Sequence, residues 1–161
     1  MPSDTTLAAI ASVNLGLMVS REPEALPLQT SKNLFLTTGT VLLTGLLGIF
    51  TAAADAGATL VKPWIGAAGA TDIAAITTTI ASYPIGARLT ITGVFATAMV
   101  QTATKIPASI STMHGLLINK VIWPSGLNLG IVTSAADNVL ARVRWVVYYV
   151  PLEPGAAVLA V

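Results

Sequence analysis

The residue best suited to acid–base chemistry is His114, the only histidine in this chain of 161 residues. An imidazole can act as general base for a serine nucleophile, and Ser109, Ser111 and Ser125 are candidates for that role. None of these serines lies in a GxSxG turn, and the spacing indicates no acidic partner for His114. We therefore predict no catalytic residue, and we interpret His114 as a side chain of a loop or strand edge.

The carboxylates offer a second route to chemistry, because a pair of them can hydrolyse a glycosidic bond even when they are remote in sequence. Several lie at expected turns or at the start of an element, where Asp in particular has a structural use. A small hydrolase acting on cell-wall sugars stays open as an alternative, and only these side chains support it: Asp4, Glu22, Glu24, Asp55, Asp72, Asp137 and Glu153.

Neither a metal site nor a cofactor is predicted. One histidine without cysteine argues against zinc, and no group of carboxylates has the spacing of a calcium loop. The glycines form neither GxGxxG nor GxxxxGK[ST], so no nucleotide-binding loop is expected. Nucleic acid is not an expected partner either, because the basic residues are scattered along the chain: Arg21, Lys32, Lys62, Arg88, Lys105, Lys120, Arg142 and Arg144.

Composition points instead to contact with other protein chains. The chain is 54% hydrophobic and only 9% charged, with a formal net charge of +1. A typical soluble domain is about 25% charged. Small uncharged residues or other protein must therefore cover the surface, and a lone domain of this kind tends to associate. We predict an assembly protein that binds copies of itself.

A membrane span over Leu34 to Ala54 is a further hypothesis, because this segment is uncharged and about long enough to cross a bilayer. It contains five threonines and three glycines, and its flanks carry neither a basic cluster nor an aromatic belt. The N-terminus also lacks the positive region of a secretory signal. We predict no membrane contact and keep a small membrane protein as an alternative.

Residues 1–32 are predicted to form an N-terminal arm, and residues 33–161 a separate β domain. Thr5 to Ile10 can form a short helix, whereas two prolines between Arg21 and Thr30 favour an extended path. The arm is too apolar for a freely solvated tail, so we expect it to pack on something. Its expected partner-binding residues are Leu15, Leu17, Met18, Leu26 and Leu28.

From residue 34 onward, abundant Thr, Val and Ile and frequent turn residues are typical of β structure. Asn138 to Val150 alternates with period two, with Trp145 on one face and Arg142 and Arg144 on the other. We predict an all-β fold, either a β-sandwich of jelly-roll-like type or a β-barrel. The expected strands are Thr40–Phe50, Thr59–Ile65, Arg88–Val100, Leu116–Trp123, Leu129–Thr133, Asn138–Val150 and Ala157–Val161.

Two further interpretations concern packing. Residues 71–81 fit either a helix capped by Asp72 or a strand, because the Ile-Thr-Thr-Thr-Ile run is β-branched. The three tryptophans, Trp64, Trp123 and Trp145, are expected to pack in the core. The competing interpretation makes one of them the anchor of an interface.

Two segments resemble small structural proteins of tailed bacteriophages. Asn138–Ala156 reads NVLARVRWVVYYVPLEPGA, a strand with Trp and Tyr followed by Pro-Leu, an acidic residue and Gly-Ala. Leu34-Phe35, followed by the GTVLLTGLLG run of Gly39–Gly48, is similar to the opening of the same group. In this chain Glu153-Pro154 precedes Gly155, which is less usual in that group of proteins. Together the segments cover roughly a quarter of the chain.

The resemblance implies a capsid cement or decoration protein, commonly a trimer, that binds the major capsid protein on the outside of the head. It implies no catalytic residues. Tyr148, Pro151 and Leu152 join the expected partner-binding residues. Another virion component, such as a tail or minor capsid subunit, is the alternative that the same features permit.

Overall fold

The computed structural model describes residues 16–66, 71–77, 79–102, 121–135 and 139–161, and this part of the chain is all β, as predicted. Its strands form two antiparallel sheets that share one hydrophobic core. Several predicted features lie outside the described residues: the helix over Thr5–Ile10, Leu15, Ser109, Ser111, His114, Leu116–Lys120, Asp137 and Asn138.

Twelve strands are described, most of them short. Their bounds are β1 Leu17–Ser20, β2 Glu24–Ala25, β3 Ser31–Thr38, β4 Val41–Ala52, β5 Val61–Gly66, β6 Thr71–Asp72, β7 Arg88–Thr90, β8 Val100–Thr102, β9 Val121–Trp123, β10 Asn128–Thr133, β11 Arg142–Pro151 and β12 Ala157–Ala160.

The larger sheet contains seven of the described strands and is built around the long pair β4 and β11. Its main order is β1-β11-β4-β7-β8, with β2 also on β11 and β9 also on β4. The predicted period of two in β11 is confirmed. Val143, Trp145 and Val147 are buried in the core, whereas Arg142 and Arg144 are exposed on the other face.

The smaller sheet contains the other five described strands, in the order β12-β3-β10-β5-β6. Its inner face supplies Phe35, Leu129 and Ile131 to the core. The register of β10 against β3 shifts between Leu129 and Gly130, which leaves an extra residue in β3. Edge strands β1 and β12 lie on one side of the molecule, where the ends of both sheets approach each other.

All three tryptophans are buried, which confirms the expected packing role. Two of them use a glycine on the neighbouring strand. A side chain at Gly48 would meet the Trp145 ring at 2.7 Å, and one at Gly130 would overlap the Trp64 ring. Gly48 therefore permits this close packing, and any larger residue at that position displaces a core tryptophan.

The continuous strand predicted over Arg88–Val100 is wrong. The segment folds back on itself, so that β7 and β8 pair with each other across a turn. Gly93 adopts a positive φ of 80°, and the hydroxyl of Thr92 accepts a hydrogen bond from the amide of Val94 at 3.2 Å. These local bonds compete with an extended ladder and end the strand. Phe95 is consequently exposed.

Two other segments differ from expectation. A separate strand, β3, precedes the first predicted one, and the tight turn between them has Gly39 at a positive φ of 83°. In the described part of residues 71–81, Thr71–Asp72 is a strand and the rest is irregular, so neither prediction holds throughout.

The predicted arm packs on its own chain wherever it is described. β1 and β2 both pair with β11, and the amide of Gln29 donates to the hydroxyl of Thr133 at 3.1 Å. β3 begins at Ser31, one residue before the expected end of the arm. Residues 16–32 therefore contribute to both sheets.

Candidate protein-binding surface

The feature most suited to binding protein is the side of the sandwich where β1 and β12 form the sheet edges. We call residues 17–20 and 157–161 the open side. Among the described residues, β1 pairs only with β11, and β12 pairs only with β3. Both strands are four residues long and neither contains a charged residue. Uncharged edge strands are templates for pairing with another chain.

Backbone hydrogen bonds show which groups of each edge point outward. The amide of Arg21 donates to the carbonyl of Trp145 at 2.9 Å, directly opposite it. Because hydrogen-bonded pairs alternate along antiparallel strands, the backbone groups of Met18 and Ser20 point away from β11. The amide of Val161 donates to the carbonyl of Leu34 at 3.1 Å. By the same alternation, the backbone N–H and C=O groups of Val158 and Ala160 point away from β3.

Large apolar side chains are exposed along both edges. Leu17 and Met18 on β1 are 47% and 60% exposed, and Leu159 and Val161 at β12 are 50% and 48% exposed. A shallow groove of about 330 Å³ lies between the ends of the two strands. Contiguous exposed apolar surface of this kind marks interaction sites.

Arg21 joins the two sheets at one end of this groove. Its guanidinium donates to the carbonyls of Asn33 and Leu34, both at 2.9 Å, and to the main-chain oxygen of Val161. It also pairs with Glu24 at 2.8 Å, and Glu24 in turn pairs with Lys32 at 2.7 Å. Since the Arg21 side chain is only 14% exposed, this charge is satisfied within the protein and does not oppose an apolar partner.

The eight partner-binding residues expected from the sequence divide into several groups. Leu17 and Met18 lie on the open side, and Tyr148 is half-buried directly opposite Met18 on β11. Leu28 and Leu152 are exposed elsewhere, and Pro151 is half-buried beside Leu152. Leu15 lies outside the described residues.

Leu26 is the expected partner-binding residue that the structure places differently. It is 3% exposed and belongs to the core, next in sequence to the short strand β2. The pairing of β2 with β11 carries the chain past the core at this point, so Leu26 is used within the protein.

Sequence reasoning missed Leu159, Val161 and Arg21 as members of this surface. β12 was predicted as a strand, but its position at an edge depends on strand order, which no local pattern reveals. The only available signal was the absence of charge from residues 156–161.

Side chains first considered for chemistry hold structural positions where they are described, except Glu22, which is exposed. The hydroxyl of Ser125 accepts a hydrogen bond from the amide of Gly39 at 2.9 Å. Four carboxylates bind basic groups or backbone amides: Glu24 with Arg21 and Lys32, Asp55 with the amide of Leu140, Asp72 with Lys62, and Glu153 with the amide of Thr40. Each contact fixes a loop or strand end.

A second apolar surface lies between the sheets at the far end of β5 and β9. This cleft of about 260 Å³ opens beside the exposed side chains of Phe95 and Ile122. Its walls come from both sheets: Ile65, Gly66, Thr71, Ile73, Phe95, Val121, Ile122, Pro124 and Leu127.

Two further features, a metal-binding cluster and a membrane-crossing helix, are absent from the described ranges. There, no three His, Cys, Asp or Glu side chains are grouped closely enough to hold a metal ion. The same ranges contain no helix whose length and apolar character would let it cross a membrane.

Comparisons with known proteins add no relative: no family model, curated protein or solved structure matches this chain.

Proposed function

We propose that this protein is a non-enzymatic structural component of a bacteriophage virion, a cement or decoration protein that binds the major capsid protein and stabilises the head. The observation that supports the proposal is the open side, where four large apolar side chains are exposed at two uncharged edge strands and can make lasting contact with a neighbouring chain of a shell. A protein of this design gains stability when another chain covers that side. Its place in the virion would be the outer surface of the capsid.

The composition supports the same function. With 9% charged residues, the chain has few groups for steering or solubilising a free monomer. Lasting contacts in a shell need buried apolar area more than electrostatic attraction. Many symmetry-related copies also make a modest individual contact collectively strong. The resemblance of Asn138–Ala156 and Leu34–Gly48 to phage structural proteins points in this direction and adds the expectation of a trimer.

The roles of the described carboxylates support a non-enzymatic protein over a hydrolase. A glycosidase requires two carboxylates that face one substrate, about 5–10 Å apart. Asp72 instead binds Lys62 within the smaller sheet, and Glu153 binds the amide of Thr40 in the turn between β3 and β4. These contacts give both carboxylates a structural use.

Reconstitution on capsids tests the proposal. Purified protein is mixed with phage heads that lack it, and the heads are then heated or treated with a chelator. We expect the protein to co-sediment with the heads and to raise the temperature at which they release DNA. Heads that already carry the protein at every site serve as the control for nonspecific adsorption. If the native protein neither binds such heads nor co-purifies with virions, the proposal is wrong.

The alternative of a tail or minor capsid subunit is separated by location. Labelled protein on the head surface in electron micrographs supports the cement function. Label confined to the tail would instead assign the protein to that component.

A further inference from the structure

We infer that the open side is the contact between copies of this chain, with β1 of one copy pairing along β12 of a second copy. This rests on the proposed function and names the neighbouring chain that covers the open side: a second copy of the cement protein, which leaves the rest of the surface for contact with the capsid. The occupant is a second copy of the same chain, and the groups that form the contact are backbone amides and carbonyls flanked by apolar side chains.

The two edges match each other in length and in backbone pattern. Each is a four-residue strand with two residues whose backbone groups face outward, Met18 and Ser20 on β1, Val158 and Ala160 on β12. An edge strand forms a stable ladder only with another strand that offers donors and acceptors at the same spacing. The chain carries both halves of such a ladder.

Charge also favours a copy of this chain over an unrelated partner. The outward residues of β1 and β12 are uncharged, and Arg21 is already bonded to Glu24 and to three main-chain oxygens. The exposed carboxylate of Glu22 lines the groove beyond the end of β1, outside the proposed ladder. A partner with charged residues along its edge would bury them without compensation, which costs free energy. The uncharged edge of a second copy avoids that penalty.

The position of the edges allows the contact to close. β1 and β12 lie on the same side of the molecule, at the ends of two sheets that approach each other there. Copies arranged around one closed axis can each pair β1 with β12 of a neighbour, so that both of these strands are covered and no open filament forms.

Proline at outward positions tests the pairing without removing a bond inside the protein. The amide of Ser20 points away from β11, so Ser20→Pro removes only the donor offered to another copy. Ser20→Thr keeps that donor and is the matched control. Ala160→Pro makes the same change on β12. Each variant is analysed for mass in solution by light scattering coupled to size exclusion, and for folding by near-UV circular dichroism.

We expect the wild type and Ser20→Thr to have a mass several times that of one chain, and both proline variants to be folded monomers. Should proline prevent folding at both positions, Met18→Lys provides the same test, because it adds a charge to the edge and leaves the backbone intact. A monomeric wild type overturns the inference, as do folded proline or lysine variants that keep the wild-type mass.

This result is independent of the head-binding experiment. A monomeric wild type that still binds heads overturns the pairing of copies and leaves the cement function in place. An oligomer that is sensitive to Ser20→Pro but does not bind heads overturns the cement function and leaves the pairing in place.

Discussion

The two edge strands of the smaller sheet, β6 and β12, have opposite character. On one side, β6 carries Asp72, which pairs with Lys62 of β5 at 2.9 Å. On the other side, β1 and β12 contain no charge and expose Leu17, Met18 and Leu159. A charged residue on an edge prevents pairing with another chain, because its burial is costly. The difference indicates which side is kept in solvent and which is available to a partner.

The largest expected effect on stability comes from Arg21→Ala, which removes the side chain that links the two sheets on the open side. The side chain bonds to Glu24 and to the main-chain oxygens of Asn33, Leu34 and Val161. The loss of this guanidinium leaves the half-buried carboxylate of Glu24 with Lys32 as its remaining ion-pair partner. We therefore expect the free energy of unfolding to fall by about 3 kcal/mol.

Urea denaturation followed by tryptophan fluorescence measures the effect of Arg21→Ala. The matched control is Arg142→Ala, which truncates an exposed arginine and is expected to cost less than about 0.5 kcal/mol. Equal losses in the two variants would mean that Arg21 does not hold this side together.

Leu159→Lys places a charge on the open side and tests its role in association. Leu159 is exposed on β12, so the fold is expected to keep its stability. We expect self-association to weaken at least tenfold, about 1.4 kcal/mol, because the lysine must be desolvated in the contact. Sedimentation equilibrium measures the association constant.

Ile85→Lys is the control for Leu159→Lys, because it changes an equally exposed apolar residue that lies outside every strand. The comparison of the two sides would fail if both lysines weakened association to the same extent.

Removing charge from the other side makes the converse test. Asp72→Asn breaks the ion pair with Lys62, a partly exposed pair worth less than about 1 kcal/mol. We expect little change in the unfolding free energy but a greater tendency to aggregate, because β6 loses its protection. Static light scattering at increasing protein concentration measures this. If the variant scatters like the wild type in low salt, charge at β6 does not protect that edge.

The smallest effect at neutral pH concerns Tyr83, whose hydroxyl donates to Gln101 on β8 and whose ring packs edge-on against Phe50, with ring centroids 5.6 Å apart. Burial raises the pKa of Tyr83 above its ordinary value. The unfolded chain therefore loses this proton first, so the stabilisation is complete below about pH 10 and is lost as the pH rises through the raised pKa.

Thermal denaturation between pH 8 and pH 11 follows this loss. We expect the melting temperature of the wild type to fall above about pH 10, and that of Tyr83→Phe to fall less. If the melting temperatures of the two proteins fall in parallel above about pH 10, ionisation of Tyr83 does not contribute to the loss of stability.

The sequence predicted the fold class and the orientation of β11 because both depend on local patterns. The apolar residues Val143, Trp145 and Val147 occur at every second position, which predicts that one face of the strand is buried regardless of the strand order in the sheet. The break in Arg88–Val100 was not predicted, since Leu89, Ile91 and Met99 keep an apolar rhythm while Gly93 turns the chain. A turn held by one glycine and one threonine leaves little trace in hydrophobic periodicity.

The candidate surface was predicted only in part, for a related reason. Leu17 and Met18 were identified because they are apolar residues in a segment that looked like an arm. Leu159 and Val161 were missed because exposure at a sheet edge follows from long-range strand order. Leu26 was assigned to the surface from its apolar character, yet the pairing of β2 with β11 buries it.

Hydrogen exchange at the amides of Ser20 and Ala160 tests most directly the claim that the open side binds protein. These two N–H groups point away from their own sheets, whereas those of Val19 and Leu159 face the partner strand within the same chain and serve as references. We predict that exchange at Ser20 and Ala160 slows at least tenfold as the protein concentration rises through the range of self-association. Exchange at Ser20 and Ala160 that stays fast at every concentration, and is unchanged on heads, would contradict the claim.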